Sequence, residues 1–248
     1  MRGFLPVLKR ELLSLFVTPV AWFLIASFAL LEGCFFFFVL LSFAGQQDVL
    51  VGMGPAEVFF GQSVFFHIPL MIICPVLTMR TFAEERKTGT IEALLTAPVS
   101  ATAVVLGKYL ATVAVYVAMW LPTMLYMVLL SRYGEIDWRV ISTAYAGVFI
   151  LGAAYLSVGT LASSLTSSQL AAAVGSTIFF LTLLLTGFAG QLGGEGWPAD
   201  VSSYTSVSAL MSDFSRGLID SRRLVFWGSF IVLPLFATVR AVESWRWG

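Results

Sequence analysis

Six apolar stretches, each about as long as a bilayer is thick, constrain this chain more than any other feature. They run over Val20–Ala44, Val58–Met79, Ala101–Leu130, Val140–Ser164, Leu170–Ala189 and Leu224–Ala241. A hydrocarbon core of about 30 Å takes roughly 20 residues of helix. Strand-like alternation is absent, and a barrel would show spans of about ten residues. A helix satisfies its own backbone polar groups where no water is present. The expected fold is therefore all-α, a polytopic membrane protein with six transmembrane helices over residues 1–248. Composition agrees: 58% of the 248 residues are hydrophobic and 11% charged, against about 25% charged in a soluble domain. The formal net charge is zero, so no basic excess invites nucleic acid as a partner.

Charge placement sets the orientation. With the N-terminus in the cytoplasm, Arg2, Lys9, Arg10, Arg80, Arg86, Lys87, Lys108, Arg240 and Arg246 are inside. Arg132, Arg139, Arg216, Arg222 and Arg223 are then outside, and the first outer loop, Gly45–Glu57, has no Lys or Arg. Both termini are expected inside. The first apolar run exceeds the 7–15 residues of a signal-peptide core, so it is expected to stay as an uncleaved span.

Three segments are not spans. In residues 3–17, Phe4, Leu5, Leu8, Leu12, Leu15 and Phe16 share one face, and Lys9, Arg10, Glu11 and Ser14 avoid it. That pattern predicts an amphipathic helix in the membrane interface, turned into the bilayer at Thr18-Pro19. Residues 80–100 are too long for a tight turn and hold six of the 28 charged residues. Ala83–Lys87 and Ile91–Leu95 suit short helices, with a bend at Thr88-Gly89-Thr90 and a stop at Pro98. Ile91, Leu94 and Leu95 would form an apolar knob beside charges, as a surface for a protein partner. Residues 190–223 open on glycines and predict a helix over Ser206–Ile219 with Leu210, Met211, Phe214 and Leu218 on its apolar face, dipping into the outer interface. Trp138 and Trp197 would mark the outer headgroup level, and Trp245 and Trp247 the inner one.

Polar groups inside the spans are few. Glu32 sits about twelve residues into the first span, roughly 18 Å along it. An ionised carboxylate there costs about 2.5–3.5 kcal/mol on insertion scales. It reads either as a pathway or gating residue or as a protonated, hydrogen-bonded group in a subunit interface. Lys108 is expected to snorkel from the inner end of the third span, and His67 to pack or bond to a neighbouring helix. A single histidine excludes a multi-histidine metal site, and Cys34 and Cys74, both in apolar runs, read as apolar packing and not a disulfide framework. Small residues crowd the fourth and fifth spans, including Gly147, Gly152, Gly159, Gly175 and Ser176, and permit close helix approach. No phosphate-binding G-x-x-x-x-G-K-[ST] loop, H-E-x-x-H motif, arginine row or T-V-G-Y-G filter is present. The chain is expected not to be an enzyme by itself.

The stretch Glu85-Arg-Lys-Thr-Gly89-Thr90-Ile91-Glu92-Ala-Leu94-Leu95-Thr-Ala-Pro98-Val-Ser100, set between spans two and three, resembles the type-2 ABC exporter permease family. Thr18-Pro19-Val-Ala and Ser212-Asp-Phe214-Ser-Arg216-Gly217-Leu-Ile-Asp220 also fit, and are similar to the subgroup of gliding-motility-associated and nitrous-oxide-reductase maturation permeases. The resemblance covers the whole chain. It implies a coupling helix in residues 80–100 that docks in a separate cytoplasmic ATPase, present in two copies, which binds ATP and Mg. Ile91, Leu94 and Leu95 would insert there, and Glu84, Glu85, Arg86 and Glu92 would fix register by charge. A second permease chain, identical or not, would pair mainly through spans one and five. Glu32, Cys34, Gly175 and Ser176 would line a pathway or that interface, and Phe214, Arg216, Gly217 and Asp220 would belong to an outer gate. The implied setting is a bacterial inner membrane.

The resemblance thus implies ATP-driven export. An alternative is mechanical transmission to a periplasmic partner, as in gliding-type machinery, with nothing crossing. A third reading, an ion-coupled carrier or membrane enzyme, lacks the intramembrane charge it would need.

Overall fold

The computed structural model describes residues 3–44, 54–62, 64–91, 99–132, 136–192, 202 and 204–245. All regular structure among them is helical: α1 (Phe4–Val17), α2 (Pro19–Ala44), α3 (Pro55–Glu57), a π turn (Val58–Gln62), α4 (Val64–Thr78), α5 (Ala83–Thr88), α6 (Ala101–Trp120), α7 (Thr123–Leu130), α8 (Trp138–Leu165), α9 (Gln169–Leu192), α10 (Val207–Ser215) and α11 (Ser221–Ser244). Among the described residues six stretches are long and apolar enough to cross a membrane. They follow the six sequence runs, except that the second is displaced from Val58–Met79 to Phe66–Thr88 and takes in α5.

The corner between α1 and α2 follows from local chemistry. Pro19 opens α2, where its missing N–H costs nothing. The last carbonyls of α1 have no helical partners. Thr18 Oγ1 donates to Ser14 O (3.0 Å) and Leu15 O (2.7 Å), and Trp22 Nε1 donates to Phe16 O (2.8 Å).

Helix α1 packs on α6 through a face that overlaps the expected stripe, with Phe4, Leu8, Leu12, Leu15 and Phe16 half-buried, but is centred beside it. Val7 is its buried residue, set against Gly107, where a Cβ would stand 2.9 Å from Val7 Cγ1. Leu5 is 73% exposed. The packed row therefore runs through Val7 and Glu11, one turn apart, and Leu5 and Leu13 face outward, where lipid is the fitting neighbour.

Helix α2 is apolar all round, as a span must be. Phe28, Glu32, Phe36 and Val39 face the bundle, while Phe23, Leu30, Phe37 and Phe38 face out. The buried row meets a cluster of rings in edge-to-face contact: Phe28 on Trp120 (4.9 Å), Phe59 on Phe60 (4.9 Å) and Phe60 on Tyr145 (5.1 Å). Hydroxyl donors tie helices across this core. Tyr126 Oη donates to Ala29 O (2.6 Å), Tyr116 Oη to Val148 O (3.1 Å) and Ser157 Oγ to Phe230 O (3.1 Å). Such interhelical bonds in a membrane average about 0.6 kcal/mol each.

Two spans are not the single helices the sequence suggested. The second opens on the π turn, just after the short α3, and α4 starts at Val64. The third breaks at Leu121-Pro122 into α6 and α7. Pro122 has no N–H to continue the ladder, and Thr123 Oγ1 donates to Trp120 O (2.7 Å) at the break.

Candidate functional site

Two constellations stand at opposite ends of the bundle. At one end α1, α5, α6 and the ends of α8 and α11 converge. Lys108, in α6, is 3% exposed. Its Nζ lies 2.8 Å from Glu85 Oε1 on α5 and 3.2 Å from Glu11 Oε1 on α1. Arg10 joins the same acids, at 2.6 Å from Glu11 and 3.3 Å from Glu85. The ammonium also lies 5.5 Å from the centre of the Phe82 ring. Lys108 therefore does not snorkel: two acids reach it, so it stays buried. Burial pushes the Glu11 carboxyl up, but Lys108 and Arg10 outweigh it and hold it below the ordinary value. Arg10 is raised, chiefly by its hydrogen bond to Glu11.

The start of α5 is held by α8. Ser163 Oγ accepts the backbone N–H of Phe82 and Ala83, each at 3.1 Å, and donates to Met79 O at 3.1 Å. Arg86 donates to Ser164 O (3.0 Å), with its guanidinium 5.0 Å from the Trp245 ring centre. Gly89, at φ +72°, ends the helix in the left-handed region.

Of the residues expected to meet an ATPase, Glu85 and Arg86 are thus engaged within the chain, while Glu84, Gly89 and Thr90 are exposed. Ile91 is half-buried against a small cluster around Phe82, Val104, Val105 and Val242. It is part of the bundle's own packing and not of a free knob. Glu92, Leu94, Leu95 and Pro98 lie outside the described residues.

At the other end α10 is seated where three glycines let it in. A Cβ at Gly147 would stand 2.8 Å from Phe214 Cβ, and one at Gly187 2.9 Å from Ser206 Oγ. One at Gly61, in the π turn, would overlap Ser215. Val207, Leu210, Met211 and Phe214 are buried. The helix stops at Ser215, four residues before the expected end. Gly217, at φ +77°, lets Leu218 N bond Asp213 O (2.9 Å) and Gly217 N bond Phe214 O (3.1 Å). This 6→1 and 5→2 pair is a Schellman stop, and it leaves Leu218 and Ile219 exposed instead of on the apolar face. Arg216 Nε donates to Glu57 Oε1 (2.7 Å), and Arg223 pairs with Asp213 (3.1 Å). Asp220 caps α11 by accepting Arg222 N (2.9 Å).

The four candidate pathway or interface residues do not form one surface. Glu32 is 0% exposed, and neither carboxylate oxygen has a hydrogen-bond partner. Cys34 is exposed. Ser176 is buried and donates back to Ala172 O (2.8 Å), while no heavy atom lies within 4 Å of a Cβ built on Gly175. Cys34 and Gly175 are exposed; Glu32 and Ser176 are closed off inside the bundle. Among the described residues no group of three or more His, Cys, Asp or Glu converges as a metal set.

A protein-family model described as ABC-2 family transporter protein matches residues 51–216. A search of curated proteins returned no match.

Proposed function

The chain belongs to the ABC-2 family of transporter proteins, the membrane subunits of ATP-binding-cassette transporters, and from that premise we propose that it is an export permease driven through residues 80–100 by a separate cytoplasmic ATPase. The family supplies the need for an ATPase partner. ATP and Mg would be bound there and not in this chain. The observation that carries the coupling reading is the Lys108 cluster. A segment that receives a push must be stiffly joined to what it moves, and α5 is joined to α6 by Glu85–Lys108, to α1 by Arg10 and to α8 by Ser163 and Arg86.

In this reading the exposed Glu84 and Lys87 meet the ATPase, together with Glu92, Leu94 and Leu95. Closure of two ATPases on ATP rocks α5, and the spans follow. The helix α10 with Phe214, Arg216, Gly217 and Asp220 gates the far, extracytoplasmic end. A second permease chain pairs along spans one and five, where Cys34 and Gly175 are open. The membrane is a bacterial inner membrane with both termini inside, as the basic residues favour. The subgroup of gliding-associated and nitrous-oxide-reductase maturation permeases rests on the Ser212–Asp220 motif.

The test is ATPase activity of the reconstituted complex in liposomes. Stimulation by a transported solute supports export. Stimulation only by an extracytoplasmic partner protein, with no solute crossing, replaces export by mechanical transmission.

A further inference from the structure

The middle of the bundle holds polar atoms that its own hydrogen bonds leave over. Glu32 faces inward between two aromatic contacts. One turn before it Phe28 meets Trp120 at 4.9 Å, and one turn after it Phe36 stacks on Tyr126 at 5.5 Å. Residues four apart share a helix face, so Glu32 faces the junction of α6 and α7. The hydroxyl protons on that side are spent elsewhere. Tyr126 Oη donates to Ala29 O (2.6 Å), Tyr116 Oη to Val148 O (3.1 Å) and Thr123 Oγ1 to Trp120 O (2.7 Å). Both Glu32 oxygens, Trp120 Nε1 and Tyr155 Oη are left with no hydrogen-bond partner in the bundle. Glu32, Trp120 and Tyr155 are each 0% exposed.

These leftover groups are neighbours. Glu32, Trp120 and Tyr155 all act electrostatically on the Tyr116 hydroxyl, which lies among them. The Tyr116 ring stands 6.3 Å from that of Trp120 and rests on Gly152 of α8, where a Cβ would overlap it. Gly152 and Tyr155 lie three residues apart, on one face of α8. The row therefore runs from α2 through α6 to α8 inside a single chain. Its chemistry is mixed: an indole N–H and a phenol O–H to give, and carboxyl oxygens to receive. A metal cation would meet the two donors proton-first. Water both accepts from such donors and donates to a carboxyl.

We propose that this row holds internal water, which accepts from Trp120 Nε1 and Tyr155 Oη and bonds the Glu32 carboxyl, tying span one to spans three and four. Buried water bridges polar groups that the fold leaves unpaired, with about three hydrogen bonds for each molecule. Lipid on the outer face of α2 supplies none. The site lies within one chain and needs no ATPase, so it stands or falls apart from the export reading.

The test is hydroxyl-radical footprinting by pulsed X-rays on the full chain in detergent, mapped by mass spectrometry. Radicals born from trapped water oxidise the side chains beside it, beyond the reach of a scavenger in bulk solvent. Trp120 and Tyr155 are expected to be oxidised with the scavenger present, while labelling of the exposed Trp138 is lost. Glu32→Leu, which removes the carboxyl, is expected to lose the labelling at both. Should that variant fail to accumulate, Tyr155→Phe removes one hydroxyl alone and is expected to lower the labelling of Trp120. No oxidation of Trp120 and Tyr155 in the unaltered chain, oxidation that the scavenger removes, or equal oxidation in the variants would overturn the proposal.

Discussion

Lys108 Nζ lies 2.8 Å from Glu85 Oε1, and this contact ties the third span to the segment that follows the second. In the proposed coupling it is the joint through which a push on α5 would reach the bundle. The same ammonium reaches Glu11 at 3.2 Å, so α1 is tied to the same cluster.

Removing the cation leaves Glu11 and Glu85 facing each other with only the exposed Arg10 as a partner. Breaking a buried pair by deleting one member costs about 3–5 kcal/mol. Lys108→Met is expected to lower the melting temperature in detergent, read by size-exclusion of heated samples. Adding Glu85→Gln is expected to restore part of the loss, because Arg10 then faces one acid and not two. An unchanged melting temperature in Lys108→Met contradicts the cluster's role.

The cluster also fixes a pH dependence. Glu11 titrates below its ordinary value of 4.5 in the folded chain. A depressed carboxylate contributes stability that is fully present above the ordinary value and is lost as pH falls through the folded one. Stability from this group is therefore flat from neutrality to about pH 5 and falls below that. Glu11→Gln is expected to remove part of the acid-side slope, measured as melting temperature against pH.

The glycines that seat α10 carry a sharp steric test. Gly147→Ala places a methyl 2.8 Å from Phe214 Cβ, closer than packed atoms sit, and should loosen α10 and raise protease sensitivity near Ser206. Gly175→Ala meets no atom within 4 Å. It is expected to leave the protomer as stable or up to about 1 kcal/mol more stable, since Ala favours helix. If spans one and five pair, this second variant weakens dimerisation without touching the fold, which mass measurement of the detergent-solubilised chain reads directly.

Glu32 offers a different contrast. Its oxygens have no partner in the bundle, and an ionised acid at that depth costs about 2.5–3.5 kcal/mol. Glu32→Gln keeps the shape and removes the charge, so expression and melting temperature should hold or rise. Glu32→Lys should abolish membrane accumulation. A large loss of stability in Glu32→Gln would show that the carboxylate has a partner essential to the fold.

On α5 the exposed and the engaged charges should behave differently. Glu84→Arg with Lys87→Glu is expected to abolish ATPase assembly at unchanged melting temperature. Arg86→Ala is expected to lower the melting temperature, because it strips Ser164 O and the Trp245 face of their cation. Leu94→Asp and Glu92→Arg are expected to uncouple ATPase activity from transport while leaving insertion intact.

The six spans were legible because lipid leaves little choice: a helix facing hydrocarbon has to be apolar over its whole length, and Leu30, Phe37 and Phe38 declare it. The corner at Thr18-Pro19 was legible for a similar local reason. What the sequence hid is pairing between distant residues. Lys108 looks like a snorkelling end residue when read alone; Glu11 and Glu85, 97 and 23 residues away along the chain, make it a buried hub. Val7 dropped out of the expected stripe because the face of α1 is set by Gly107 on another helix. The end of α10 was readable and misread: Arg216-Gly217 carries the stop signal, while the apolar Leu218 and Ile219 invited a longer helix. The break at Leu121-Pro122 was likewise written in the proline and outvoted by apolar length.

The most direct measurement places a photoreactive amino acid at Glu84 or Lys87 and purifies the chain from its native membranes after illumination. A crosslink to a nucleotide-hydrolysing subunit from the cytoplasmic side is the expected result. A chain that emerges with no ATPase attached, or with residues 80–90 reactive only to reagents added outside the cell, contradicts it.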